Sequence, residues 1–197
     1  MPASQVAHGL RVTLEAQRRG WDTTLWWNGA RRAGWRALGR AGSGEYDPAH
    51  RDFQRYGGTI ARSFVFSPRL VARGSVAASA GRDLDRFSRY SFGTFDNRLR
   101  GYPSALIRYD RGAAIRTAVA WSATPLFRLD GFADTAVVRD VGISRKASRF
   151  SGLGAAIEAP APFGTLVAAE WGYGIQGVNA DGRRGTHVVR ITGYKIF

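Results

Sequence analysis

Apolar side chains alternate with small or polar ones along most of this chain, and this alternation limits the folds that it can adopt. From His8 to Arg18, one parity is apolar and the other is polar. A period of two places alternate side chains on opposite faces of a β-strand, whereas a helix needs apolar residues every three or four positions. The sequence therefore predicts an all-β protein. The segments with this pattern are His8–Arg18, Trp21–Asn28, Phe53–Phe66, Leu70–Ala80, Ala113–Trp121, Phe127–Val137, Leu153–Glu158, Thr165–Ile175 and Thr186–Phe197.

Short and long connections alternate between these segments. Gly20, Pro68, Pro125 and the segment Pro160–Gly164 mark short turns, since glycine and proline favour turn geometry. The stretch 29–51 is polar and rich in glycine and arginine, and we predict that it is a long loop. This arrangement is typical of an antiparallel up-and-down meander, here with about eight or nine strands.

The chemistry of the two parities favours a barrel that crosses a membrane. A soluble sandwich places large aliphatic residues inside, whereas a transmembrane β-barrel has an apolar exterior, aromatic girdles and a polar interior. Tilted strands of about ten residues suffice to cross a bilayer. We therefore predict an antiparallel up-and-down transmembrane β-barrel, although a soluble antiparallel barrel fits the same alternation. The apolar parity carries aromatic residues near strand ends, namely Trp21, Trp121, Trp171, Tyr173 and Phe197.

The chain is strongly basic, with 29 Lys and Arg against 15 Asp and Glu and a net charge of +14. Such an excess suits nucleic acid, an anionic membrane surface or a polar lumen rich in arginine. Arginine and aromatic residues interleave over Arg86–Tyr90, as they do where single-stranded nucleic acid is stacked. A soluble basic nucleic-acid-binding β-domain is therefore one alternative. We favour a strand with alternating faces, and we predict no nucleic-acid partner.

Motifs for catalysis or cofactor binding are absent from the sequence. The chain has no cysteine, and His8, His50 and His187 are too far apart for a ligand set. The acidic pair Asp130 and Asp134 is explained better by lumen charges that pair with arginine than by acid–base catalysis. We predict that the protein is not an enzyme and that it has no catalytic, metal-binding or cofactor-binding residues.

One segment carries a recognisable motif. Leu99-Arg100-Gly101-Tyr102 resembles the [Val/Ile/Leu]-Arg-Gly-[Phe/Tyr] motif of the BamA/TamA-type superfamily, also called the bacterial surface antigen family. Members are outer-membrane barrels that insert or secrete other proteins. Three further features follow in the family's order: Gly131–Asp134 is similar to its Phe-x-Asp strand, Gly152–Gly164 to its glycine strand and Pro-Phe-Gly turn, and Phe197 to its terminal aromatic residue.

The resemblance implies roles for particular residues. The loop at 93–111 would fold back into the lumen, where carboxylates hold Arg100, principally that of Asp134. Gly101 would allow a tight turn and Tyr102 would pack beside the barrel wall. The last strand, 186–197, would be the signal that is read during membrane insertion, although glycine stands one place earlier here than is usual in the family. Supporting lumen carboxylates would be Glu158 and Glu170, and the insertion signal would include Val189, Ile191, Gly193 and Phe197.

The same resemblance sets the expected extent and role of the chain. Residues 1–8 lack the features of a signal peptide, no stretch reaches the ~18 apolar residues of a spanning helix, and family barrels have sixteen strands. We therefore expect residues 1–197 to be the C-terminal part of a bacterial outer-membrane β-barrel domain. It would assist the insertion or translocation of other proteins. Its expected partners are outer-membrane lipid and lipopolysaccharide, unfolded client proteins and the barrel assembly machinery. A passive pore or structural barrel is the alternative.

Overall fold

The computed structural model describes residues 6–33, 52–84, 88–92, 99–102, 107–140, 147–176 and 186–195. All regular structure in these ranges is β, so the predicted all-β class is confirmed. No helix in this part of the chain has the length and apolar character of a membrane span. The strands are β1 (Val6–Arg18), β2 (Trp21–Ala33), β3 (Asp52–Ser67), β4 (Leu70–Arg82), β5 (Tyr90–Ser91), β6 (Arg108–Thr124), β7 (Phe127–Asp140), β8 (Ala147–Ala161), β9 (Thr165–Gln176) and β10 (His187–Lys195).

The strands form one antiparallel sheet with the order β1-β2-β3-β4-β6-β7-β8-β9-β10. The two-residue strand β5 lies off this path and pairs with β6. Neighbours in the sheet are therefore neighbours along the chain, as the predicted meander requires. The sheet is open in the described residues, with β1 and β10 as its edge strands.

Short turns join the strands at one end of the sheet. Arg19 and Gly20 have φ values of 50° and 79°, which suit a two-residue hairpin turn whose twist matches that of the strands. Phe163 and Gly164 also have positive φ, at 63° and 65°, in the turn between β8 and β9. The longer connections lie at the opposite end, and the segment Leu99–Tyr102 belongs to one of them.

Cross-strand pairing keeps the two parities on separate faces. On the polar face, Arg116 lies opposite Asp134, Asp134 opposite Gly152, and Gly152 opposite Gly174. The other face, called the apolar face below, is open to its surroundings, and several of its large aliphatic side chains are between 40% and 65% exposed. They include Leu14, Leu25, Ile60, Ile115, Val119, Leu129, Leu153 and Ile157.

The buried core lies on the polar face, toward the end with the long connections. Leu99 and Tyr102 bring side chains from outside the main strands into this core. Phe150 contacts the rings of Phe92 and Tyr102 edge-on, with ring centroids 5.6 and 5.2 Å apart. The segment Leu99–Tyr102 is therefore part of what covers the polar face. The core residues are Tyr90, Phe92, Leu99, Tyr102, Ile107, Tyr109, Ala114, Ala136, Val138 and Phe150.

Several predicted strand boundaries were wrong. Strand β2 continues to Ala33, so the predicted loop 29–51 begins too early. Residues 29–33 are held as strand because they pair with the start of β1, with Ala30 opposite Gly9. Strand β6 begins at Arg108, so the end of the predicted 93–111 loop is also strand. Residues 34–51, 93–98 and 103–106 lie outside the described ranges.

Two further boundaries differ at the C-terminal hairpins. Pro160 was predicted in a turn, but it lies in β8 opposite Leu166 of β9. Proline lacks a backbone N–H, and it is accommodated because the pairing between β7 and β8 ends at Glu158. The terminal strand begins at His187 rather than at Thr186 and is described as far as Lys195, and Phe197 lies outside the described residues.

Candidate functional site

The centre of the site is an ion pair between the loop and the sheet. The Arg100 guanidinium lies 3.1 Å from Oδ2 of Asp134, and the backbone amide of Arg100 donates a hydrogen bond to the same oxygen at 3.2 Å. The Asp134 side chain is fully buried and that of Arg100 is 17% exposed. A buried carboxylate needs such partners, because burial without them would cost several kcal/mol. Asp134 therefore attaches the loop to the middle of β7.

Two more groups surround the guanidinium. The ring of Phe132 lies beneath it, with Cζ of Arg100 4.1 Å from the ring centroid. Glu170 of β9 approaches from the other side, with its Oε1 4.0 Å from Nε of Arg100. Cation–π attraction and a second carboxylate both favour the charged arginine in this position. Strands β7 and β9 thus both contact one side chain of the loop.

Four glycines form the surface on which the loop backbone lies. They are called the glycine patch and comprise Gly152, Gly154, Gly172 and Gly174. Gly152 lies opposite Gly174, and Gly154 lies opposite Gly172, so the patch is flat across β8 and β9. A Cβ on Gly152 would lie 2.0 Å from the carbonyl oxygen of Arg100, which is far inside contact distance. Any side chain at this position would therefore push the loop away from the sheet.

The loop also needs a glycine, at position 101. Its φ is +79°, a conformation that residues with a Cβ rarely adopt. A Cβ there would also lie 1.9 Å from the backbone nitrogen of Gly174. Gly101 and the glycine patch therefore allow two backbones to approach each other directly.

Tyr102 anchors the end of the described loop segment. Its hydroxyl lies within hydrogen-bond distance of the carbonyl oxygens of Ser151 and Gln176, at 3.0 Å from the first. Its ring packs edge-on against Phe150. Burial raises the pKa of the Tyr102 hydroxyl above its usual value. The neutral hydroxyl can therefore donate a hydrogen bond to the ends of β8 and β9.

The structure brings together most residues of the predicted lumen-loop site. Arg100, Gly101 and Tyr102 meet Asp134 on the polar face, and Glu170 lies beside them. Glu158 is different: it lies opposite Arg128 in β7, and the ion pairs of Arg100 among the described residues do not include it.

The predicted insertion-signal residues of β10 that the structure describes lie on the opposite face of the sheet from the loop. Val189 and Ile191 project from the apolar face of β10 and are 69% and 72% exposed. Gly193 lies opposite Val167 in the same strand pair, and Phe197 is outside the described residues. Whether these residues act as an insertion signal stays a prediction.

Two parts of the site were not assigned from the sequence. The glycine patch was noticed only as a glycine strand, although its glycines share one parity within each strand. That shared parity was the available signal, since side-chain-free positions on one face mark a close backbone approach. Phe132 was also missed, because a lone aromatic residue on a small and polar parity does not predict its partner.

A cavity of about 790 Å³ lies next to the core on the polar face of β1–β6. It is lined by basic and aromatic side chains, among them Arg11, Arg55, Trp26 and Tyr109. Within the described ranges, no cluster of three or more His, Asp or Glu side chains could hold a metal ion. The polar face therefore has two features: a loop attached to β7–β9 and a cavity with a basic and aromatic lining on β1–β6.

No family model, curated protein or solved structure matches this chain. Function is therefore inferred from the residues and their geometry.

Proposed function

We propose that this chain is part of an outer-membrane β-barrel that assists the insertion or translocation of other proteins. The observation that carries the proposal is the attachment of the Leu99–Tyr102 motif to the sheet. Arg100 pairs with the buried Asp134, while Gly101 lies against the glycine patch. The contact between Arg100 and Asp134 is one that the resemblance implies, and it supports the proposal.

The exposed apolar face supports a membrane setting. Large aliphatic side chains there are about half exposed, and the small and charged parity is the one that carries the core. Water would disfavour such a face at ~25 cal/mol per Å² of apolar surface, whereas hydrocarbon would solvate it. The nine strands of the main path have 9 to 17 residues, enough for a tilted strand to cross a bilayer.

The two edge strands support a larger barrel. Unpaired backbone groups of β1 and β10 would be costly in a bilayer, where no water can satisfy them. We therefore propose that further strands complete the barrel, as in the sixteen-stranded members of the family. The edge of β10 is then the seam at which an incoming client strand can pair by β-augmentation.

In this proposal the loop fixes the relative positions of the strands next to the seam. Arg100 contacts β7 through Asp134 and β9 through Glu170, and β9 pairs directly with β10. Glu170 also lies opposite Arg190 of β10. Loosening the loop would therefore change the strand pairs that border the seam.

A reconstitution experiment tests this function. The full chain is folded into lipid vesicles, an unfolded outer-membrane protein is added, and its conversion to a protease-resistant form is followed. We expect assembly above that of empty vesicles, and a several-fold loss with Arg100→Ala. Arg111→Ala is the matched control, because the Arg111 side chain is 62% exposed and its Nε lies 3.9 Å from Oδ1 of Asp110. Client assembly equal to that of empty vesicles would overturn the proposal.

A passive pore is the second candidate, favoured by the cavity of about 790 Å³ on the polar face. Single-channel recording separates the two candidates. A stable open conductance supports the pore, whereas a closed or flickering barrel that assembles clients supports the translocator.

A further inference from the structure

A row of two arginines and a tryptophan crosses the apolar face beside the first hairpin turn. Arg18 lies opposite Trp21, and Trp21 lies opposite Arg62. Arg18 has the parity of Leu14, and Arg62 that of Ile60, so all three side chains share the apolar face. A pair of guanidinium groups therefore flanks an indole on a largely apolar surface.

Aromatic rings hold the inner guanidinium in place. Cζ of Arg62 lies 4.9 Å from the Trp21 ring centroid and 4.7 Å from that of Phe64. Such contacts favour a cation but do not neutralise it. In the described residues no carboxylate pairs with Arg18 or Arg62. Asp22, which follows Trp21 directly, has the opposite parity and accepts a hydrogen bond from Gln17 at 2.9 Å.

The other end of β2 shows a different arrangement. Arg31 shares the face of Trp21 on β2, and its Nε lies 3.6 Å from Oδ1 of Asp52. At the end with the long connections, a basic residue of this face thus has a carboxylate partner within the chain. Arg18 and Arg62 have the same chemistry and lie on the same face, so an anion from outside the chain is their natural partner.

We propose that Arg18, Trp21 and Arg62 form a binding site for the phosphate group of an anionic phospholipid. The planar guanidinium binds phosphate oxygens in pairs, and tryptophan favours the level of the lipid headgroups. Leu14 lies opposite Leu25 on the same face and gives the acyl chains an apolar surface. A free phosphate ion would gain nothing from that surface, so the lipid is the favoured source. The site rests on the membrane setting of the proposed function.

Quenching by brominated lipid tests the site. The full chain is folded into phosphatidylcholine vesicles that contain equal fractions of brominated phosphatidylglycerol or brominated phosphatidylcholine. The quenching of Trp21 is obtained as the difference from Trp21→Phe. We expect phosphatidylglycerol to be enriched at Trp21, and each of Arg18→Gln and Arg62→Gln to lower the enrichment about five-fold.

The control variant is Arg73→Gln, because Arg73 neighbours Gly74, the β4 partner of Arg62, but lies on the polar face. It should leave the enrichment unchanged. Equal quenching by the two lipids in an inserted protein would overturn the lipid site and leave the proposed function standing. Failure to insert into either vesicle would overturn the membrane setting and the site with it. Loss of enrichment in millimolar inorganic phosphate would show that the site recognises the free ion and would overturn the lipid assignment.

Discussion

Oδ2 of Asp134 accepts hydrogen bonds from both the backbone amide and the guanidinium of Arg100, at 3.2 and 3.1 Å. One carboxylate oxygen on β7 therefore fixes both the path of the loop backbone and the direction of its charged side chain. Asp134 also lies opposite Arg116 of β6, so a second arginine borders the same carboxylate. Removing either partner of the loop contact would leave the other as a largely buried charge without its main partner.

Arg100→Ala is expected to lower the free energy of unfolding by about 3 kcal/mol, because it leaves the buried carboxylate of Asp134 without its main partner. Strand content should stay the same, since Arg100 lies outside the strands. Urea unfolding in detergent micelles measures the first effect and far-ultraviolet circular dichroism the second. Arg111→Ala removes a largely exposed arginine and leaves Asp110 beside Arg139, so it should cost no more than about 1 kcal/mol. Equal effects of the two variants would contradict a structural role for the buried pair.

Gly152→Ala is expected to displace the loop, because its Cβ would lie 2.0 Å from the Arg100 carbonyl oxygen. Overpacking of this kind costs about 1–3 kcal/mol. Gly131→Ala is the control in β7, where a Cβ meets nothing within 4 Å, and it should be neutral or slightly stabilising. Limited proteolysis of the loop, followed by mass spectrometry, distinguishes the variants. A loop as protected in Gly152→Ala as in Gly131→Ala would show that the glycine patch is dispensable.

The loop attachment is expected to weaken at alkaline pH through Tyr102. Burial raises the pKa of its hydroxyl in the folded protein, so the unfolded chain loses this proton at a lower pH than the native state does. The stabilisation is complete below the unfolded value of 10.0 and is lost as pH rises through the folded pKa. Tyr102→Phe should lack this part of the pH dependence. Unfolding free energies of both proteins between about pH 8 and pH 11 provide the test, and parallel curves would exclude Tyr102 as the titrating group.

Val119→Arg is expected to hinder folding into vesicles, because Val119 lies on the apolar face and is 49% exposed. Arginine on the lipid face of a transmembrane barrel costs about 2–4 kcal/mol near the midplane. Ala120→Arg is the neighbouring control, since Ala120 lies opposite Asp130 on the polar face. Heat modifiability on gels measures the folded fraction. Similar folded fractions for the two variants would argue against lipid contact on the apolar face.

The alternation of apolar and polar residues was sufficient to predict most of the sheet, because each strand has two chemically different faces. It also assigned Asp134 to the small and polar parity, whereas the contact of Asp134 with Arg100 was implied by the family resemblance. Strand β5 escaped prediction because two residues cannot show a period. The extension of β2 to Ala33 was missed because residues 29–33 are polar and held as strand by pairing with β1 rather than by their own pattern.

The role of the glycine patch could not be predicted from the sequence. A glycine is compatible with a turn, a bulge or a close backbone contact, and the choice depends on what approaches it. Gly172 faces the backbone nitrogen of Gly101, whereas Gly131 faces open space. Gly131 lies on the apolar face and Gly172 on the polar face, so their parity differs, but parity alone does not predict that a loop backbone approaches Gly172.

The pairing of glycine with glycine across β8 and β9 has a consequence for the order in which the molecule folds. At these positions the hairpin has no side-chain contacts with which to stabilise itself. Contacts there come instead from Arg100 and Tyr102, about fifty residues before the glycines of β8 and about seventy before those of β9. The loop is therefore synthesised before the strands on which it rests. We expect it to dock only after this hairpin has formed, and the docked loop then adds the stability that the glycine positions lack.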